Sequence, residues 1–155
     1  MPWTDLLSAD RIVMLVDPDN PAQVLDAAAR LLSDGSRAST QTIADALRRR
    51  ERLGSTGIGH GVAIPHARSA AFHAPRGAFL RLGRPIDFRA RDGEPVDLVF
   101  AMSATDGMPE QHLQHLAGVA ERFADAEFRD RLRMARSLDR LRRLLLPTAP
   151  AANAA

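Results

Sequence analysis

Residues 54–68 read GSTGIGHGVAIPHAR, a glycine-dense turn that runs into a short apolar stretch and closes on Pro65 and His66. Gly57, Gly59 and Gly61 allow positive φ and close backbone approach, and they leave N–H groups able to point one way. The Lys-Ser/Thr ending of a Walker loop is absent, and an extended run follows where a dinucleotide fingerprint needs a helix. What remains is a turn that delivers a strand, Val62 to Pro65, with His66 at its end and Pro65 stiffening the backbone just before it. Two readings stand at this point: an ordinary buried imidazole beside a tight turn, or a phosphate-sized pocket around a nucleophile.

Working outward, Arg11 to Asp17 (RIVMLVD) reads as a strand, and Asn20-Pro21 supplies an N-cap and a first-turn proline. Val24, Leu25, Ala28, Leu31 and Leu32 then form an apolar helical stripe that stops at Asp34-Gly35. A second helix is expected to be capped by Ser39, with Ile43, Ala46 and Leu47 inward. Arg48, Arg49, Arg50 and Arg52 lie near its C-terminus, where positive charge offsets the dipole. Further strands are expected at Gly77 to Leu82 and Val96 to Ser103, the latter apolar on both faces like a central strand. The turn-rich Gly83 to Pro95 connects them. Leu113, Leu116, Ala117, Ala120 and Phe123 mark a third helix. Phe128, Leu132 and Ala135 mark a fourth, and Leu138, Leu141, Leu144 and Leu145 a fifth. The element order β-α-α-β-β-β-α-α-α implies one α/β domain with helices on both faces of a mixed sheet. That domain is expected to span residues 1–147, with a disordered Ala/Pro tail over 148–155.

Composition narrows the function classes. A chain of 155 residues with 45% apolar and 26% charged side chains is globular and large enough for one real core. The apolar runs are too short to span a bilayer. The N-terminus lacks a signal-peptide pattern, and a cytoplasmic location is expected. Without cysteine there is no disulfide framework or thiolate metal site. The isoelectric point of 10.7 is misleading. All 21 basic residues are Arg and neither Lys, Tyr nor Cys is present, so a net charge of only +2 persists to very high pH. No aromatic residues interleave with the arginine cluster for base stacking, and nucleic acid is not an expected partner.

Five histidines carry the remaining chemistry: His60, His66, His73, His112 and His115. His112 and His115 stand at helical i, i+3 spacing. No HExxH-type signature or acidic ligand set accompanies them, so no metal and no cofactor are expected. Leu113 and Leu116 account for that helix as amphipathic, which leaves His115 as polar surface. His66 suits phosphoryl transfer. A neutral imidazole is a good nucleophile near pH 7, and in-line transfer asks the protein mainly for donors to the equatorial oxygens. Arg50 upstream offers a planar, permanently charged fork for them, and His112 a second imidazole.

The run from Arg50 through GSTGIGHGVAIPHAR resembles the active-site signature of the mannitol/fructose-type enzyme IIA domain of the bacterial phosphoenolpyruvate:sugar phosphotransferase system, above all its stand-alone nitrogen-regulatory branch. LLSADRI, RPIDF, EPVDLVFAM and EQHLQHLAGVAERF fall in the family's order, so the resemblance covers about residues 5–145. It implies a three-layer α/β/α sandwich over a mixed sheet. It also implies phosphorylation of His66 at Nε2, with Arg50 and His112 as supporting phosphate-site groups. Ser55, Thr56, Gly57, Gly59 and Gly61 would shape the pocket. The implied donor is a small HPr-like phosphocarrier protein, charged from phosphoenolpyruvate by an enzyme I. Departures are His60, where that branch often has Asn, the additional His115, and Arg68 where Lys is common.

Three functions compete. A regulatory phosphocarrier would accept phosphate on His66 and bind target proteins according to its phosphorylation state. A sugar-uptake component would pass the group to a IIB domain. A binding module of a different class would only sense an anion in the pocket and form no covalent adduct. The absence of an attached IIB, transmembrane or HPr-like segment favours regulation.

Overall fold

The computed structural model describes residues 2–72 and 74–146; His73 and the tail expected to be disordered lie outside them. After two short 3-10 turns, Trp3–Leu6 and Ala9–Arg11, the chain forms β1 (Ile12–Leu15), α1 (Pro21–Leu32) and α2 (Arg37–Leu53). Three brief strands follow, β2 (Gly57–Gly59), β3 (Val62–Ala63) and β4 (His66–Arg68). Two long ones complete the sheet, β5 (Arg76–Ile86) and β6 (Val96–Ala104). Helices α3 (Pro109–Phe123), α4 (Ala126–Met134) and α5 (Leu138–Leu145) close the order.

The sheet runs β1-β5-β6-β3-β2 and is mixed: β1 is parallel to β5, β5 antiparallel to β6, and β3 and β4 parallel to β6. Alternation along β6 sorts its side chains into two cores. Val99 and Ala101 face α1 and α2, while Leu98, Phe100 and Met102 face α3, α4 and α5. The first side is lined mostly by alanine and aliphatic residues; on the second, Phe79, Phe100 and Phe128 each make ring contact with Phe123. This is the expected three-layer sandwich.

Several details differ from expectation. The single strand expected at Val62 to Pro65 is two collinear segments. Pro65 has no N–H to donate, so pairing lapses there, although its carbonyl still accepts from Met102 N at 2.9 Å. His66 therefore opens β4 rather than ending a strand. Its register partner is Met102 on β6, and since β4 pairs with no other strand it stands on an open edge of the sheet. The cap of α2 is Ser36, whose Oγ accepts from Ser39 N at 3.1 Å, because Arg37 and Ala38 already continue the helix. The connection expected from Gly83 is shorter, since β5 runs on to Ile86 across a register shift. On α3 the inward face holds His112, His115, Val119 and Phe123, while Leu113 is 64% exposed. Phe123 and Val119 are anchored in the aromatic core, and stepping back from them in helical intervals reaches the two histidines rather than Leu113. His115 is thus buried, not surface.

Arginine closes helix ends here. Arg76 donates to the Leu32 and Ser33 carbonyls at the end of α1, and buried Arg129 donates to Phe123 O at the end of α3. Arg81 reaches Leu132 O at 2.8 Å and Ala135 O at 2.6 Å at the end of α4. These carbonyls have no partner within their helices, and one guanidinium can satisfy two of them. Arg81→Met is expected to lower the unfolding free energy by about 1–3 kcal/mol by leaving them unpaired. Urea unfolding checks this, and a change below experimental error would contradict the capping role.

Candidate functional site

The last turn of α2, strand β4 and the first turns of α3 meet around a cleft of about 440 Å³. Arg49, Arg50, Arg68, His66 and His112 supply its polar wall, with Asp106 as the acid, and Leu53, Leu113 and Leu116 an apolar rim. The arginine cluster of α2 divides by helical rotation. Arg48 turns back to pair with Asp26 on α1, whereas Arg49 and Arg50 face the cleft.

His66 is held at both ring nitrogens. Nδ1 lies 2.8 Å from Ile64 O. A carbonyl only accepts, so Nδ1 carries the proton and, in the neutral ring, Nε2 keeps its lone pair. Arg50 Nε donates to that lone pair at 3.3 Å, while Arg50 Nη1 is tied to Gly54 O at 2.8 Å. Burial is the main influence holding the His66 imidazole below its ordinary range; the bond to Ile64 opposes it, and the Arg50 charge adds to it. The ring is thus neutral at pH 7, its Nε2 bare beside a guanidinium.

His112 faces His66 with ring centroids 5.5 Å apart. It is 4% exposed, and neither of its ring nitrogens has a hydrogen-bond partner among the described residues. Burial, then His66, then Arg68 push it down to about 4. It is a neutral imidazole with an unused donor. α3 begins at Pro109 without a side-chain cap, so the partial positive charge of its first turn also acts on the cleft.

The structure therefore brings together His66, Arg50 and His112. It does not bring Ser55, Thr56, Gly57, Gly59 or Gly61 to the same cleft, whose lining includes none of them. Their donors are occupied elsewhere. Thr56 N and Oγ1 both donate to the Glu51 carboxylate, Gly57 N donates to Ser55 Oγ, and His60 N donates to Asp92 Oδ2 at 2.8 Å. The turn instead threads a tight hairpin. At Gly61, with φ of 80°, a Cβ would fall 2.4 Å from Arg133 Nη2, and Arg133 bridges the His60 carbonyl and Asp97. His60 accordingly lies outside the cleft. No group of three or more His, Cys, Asp or Glu side chains converges among the described residues.

Sequence reasoning passed over the cleft roles of Arg49 and Arg68 and of the apolar rim. For Arg68 the signal was present, because positions i and i+2 of a strand share a face. Glu51, which anchors the glycine turn to α2, had no such signal.

The low affinity of His112 for protons makes folding pH-dependent. Its folded value lies below the 6.5 of the unfolded chain, so the unfolded state holds more protons between those limits. The contribution is complete above pH 6.5 and is lost as pH falls toward 4, amounting to about 3 kcal/mol. His112→Phe is expected to reduce the stability difference between pH 7.5 and 4.5 by about 2–3 kcal/mol. Denaturant titrations of both proteins check this, and parallel pH profiles would contradict it.

Comparisons with known proteins give the chain a family. Residues 5–147 match the family described as phosphoenolpyruvate-dependent sugar phosphotransferase system, EIIA 2. A nitrogen regulatory protein of Bradyrhizobium diazoefficiens is 37% identical over 153 residues, 98% of this chain and 100% of its own. The fructose-specific EIIABC component of Bacillus subtilis is 34% identical over 140 residues, 90% of this chain and 22% of that protein. The crystal structure of the nitrogen regulatory protein IIA-Ntr from Neisseria meningitidis aligns with a TM-score of 0.85 and 34% identity, covering 92% of this chain and 97% of that one. The chain belongs to the EIIA 2 family of the phosphoenolpyruvate-dependent sugar phosphotransferase system, and it resembles the family's nitrogen regulatory members over nearly its whole length.

Proposed function

We propose that the protein is a regulatory phosphoryl carrier, accepting phosphate on His66 Nε2 from a phosphorylated HPr-like protein. In this reading it acts as a phosphotransferase component through a phosphohistidine intermediate, and the state of His66 selects which target proteins it binds. One observation carries the proposal: Ile64 O holds the Nδ1 proton, so the nitrogen left bare is the one beside Arg50. In transfer, the Nε2 lone pair forms the new N–P bond. The donor's N–P bond breaks, and its electron pair stays on the donor nitrogen. Nδ1 keeps its proton, and the resulting positive ring is stabilised by the carbonyl. Arg50 releases Nε2 as the phosphoryl group arrives and pairs with its oxygens, its second tie to Gly54 keeping it at the cleft. His112 donates one N–H to another oxygen. The modification adds nearly two negative charges to a wall carrying three guanidinium groups, which largely cancels the local positive field for any partner reading that face.

Onward transfer to a IIB domain is a second reading, supported by the 34% identity to a fructose-specific component. It is distinguished by mixing the phosphorylated protein with an isolated IIB domain and following loss of the label.

Incubation with a phosphorylated HPr-like donor is expected to add one acid-labile, alkali-stable phosphoryl group, read by intact mass. His66→Ala should abolish the adduct, and absence of any adduct on the wild-type protein would leave only the anion-sensing module. Arg50→Gln and His112→Gln should each slow transfer by about 10²-fold through loss of an oxygen donor. Quench-flow kinetics measure this, and rates within twofold of wild type would remove those residues from the reaction.

A further inference from the structure

We propose that Arg68 is a third phosphoryl-binding residue, its guanidinium taking an equatorial oxygen that Arg50 and His112 leave unpaired. The inference rests on His66 being the phosphoryl acceptor, and it asks which group completes the cradle. A transferring phosphoryl group spreads charge over three equatorial oxygens, and positioned donors for them are nearly all that the protein must supply. Arg50 and His112 account for two. The glycine turn, the obvious source of a third, is out of place and has its donors committed to Glu51, Ser55 and Asp92.

Two further cations line the cleft, Arg49 and Arg68. Arg68 lies two residues beyond His66 on β4, and alternation puts it on the same face of the sheet, with Ala67 buried on the other. Its backbone is fixed by pairing opposite Ala104 of β6, as His66 is fixed opposite Met102. No hydrogen bond or ion pair holds its guanidinium among the described residues, unlike Arg50 or Arg48, so it is free to meet an oxygen. Arg68 also contributes to the electrostatic environment of both imidazoles, His66 and His112, whereas Arg49 figures in neither. Arg68 thus shares the cleft wall with both rings and acts on both, as Arg49 does not. Arg68 takes no proton: the N–P bond that forms on Nε2 and the one that breaks on the donor are those already given.

The test uses the full-length protein with two donors, a phosphorylated HPr-like protein and the small reagent phosphoramidate. The reagent transfers its phosphoryl group to Nε2 as its own N–P bond breaks and ammonia leaves. Arg68→Gln is expected to slow labelling of His66 by about ten- to a hundredfold with both donors. With the protein donor the effect should fall on kcat more than on KM. Arg68→Lys should recover most of the loss, and Arg49→Gln should lose less than Arg68→Gln. A normal rate with phosphoramidate and a raised KM with the protein donor would overturn the assignment by making Arg68 a docking residue. Equal losses for Arg49→Gln and Arg68→Gln would overturn it by making the effect a pooled field. Wild-type protein that reacts with phosphoramidate at His66 but with no HPr-like donor would count against the carrier reading alone, and the Arg68→Gln comparison with phosphoramidate would still decide this one.

Discussion

The hydrogen bond between His66 Nδ1 and the Ile64 carbonyl, 2.8 Å long, decides which side of the imidazole is available for chemistry. It joins residues two apart in the chain, on the side of the segment that faces away from β6. Pro65 cannot donate to the sheet, so β3 stops before it and β4 restarts after it, both alongside β6. Ile64 points its backbone groups away from β6: its N–H donates to Thr56 O at 3.0 Å, whereas the Gly61 and Pro65 carbonyls accept from β6. No strand lies beside β4 on that side and Thr56 N donates to Glu51 instead, so the Ile64 carbonyl is left to the ring, while pairing with β6 holds the segment in place. A tautomer held by a neighbouring carbonyl exposes its other nitrogen without needing a change of charge.

Around that fixed ring the fold supplies cations without crowding them into a salt-bridged cluster. A chain whose basic residues are all arginine uses many of them structurally, on helix-end carbonyls, as at Arg76, Arg81 and Arg129. Arg50 combines both uses. Nη1 closes the end of α2 on Gly54 O, and Nε reaches His66. A lysine could not make both contacts at once with the same planarity. The guanidinium at the site is therefore positioned by the same interaction that terminates its helix, and little side-chain ordering remains to be done when an anion arrives.

Much of this was legible in the sequence because it depends on local chemistry. The two long strands, the five helices and their faces on α1 and α2 follow from periodicity and caps. His66, Arg50 and His112 were singled out from residue type and order, and the cleft does unite them. Other features failed for identifiable reasons. Counting leucines put Leu113 on the inner face of α3, but that face is selected by Phe123 and Val119 packing on the sheet, a tertiary choice that buries His112 and His115 instead. The glycine turn looked like an anion cradle because its composition suits one. Its donors are consumed by carboxylates, Glu51 five residues before Thr56 and Asp92 far downstream, and the second partnership has no local trace. Ser39 looked like a cap because the helix start was placed three residues late.

The central claim is that, in the free protein at neutral pH, His66 is an uncharged imidazole protonated at Nδ1 with Nε2 bare. Long-range ¹H–¹⁵N correlation spectra of the histidine side chains, assigned with His66→Gln and His112→Gln, measure that directly. The account predicts the Nδ1–H pattern for His66 at pH 7, with a protonated-type nitrogen shift at Nδ1 and a pyridine-type shift at Nε2. A ring protonated at Nε2, or an imidazolium, would contradict it.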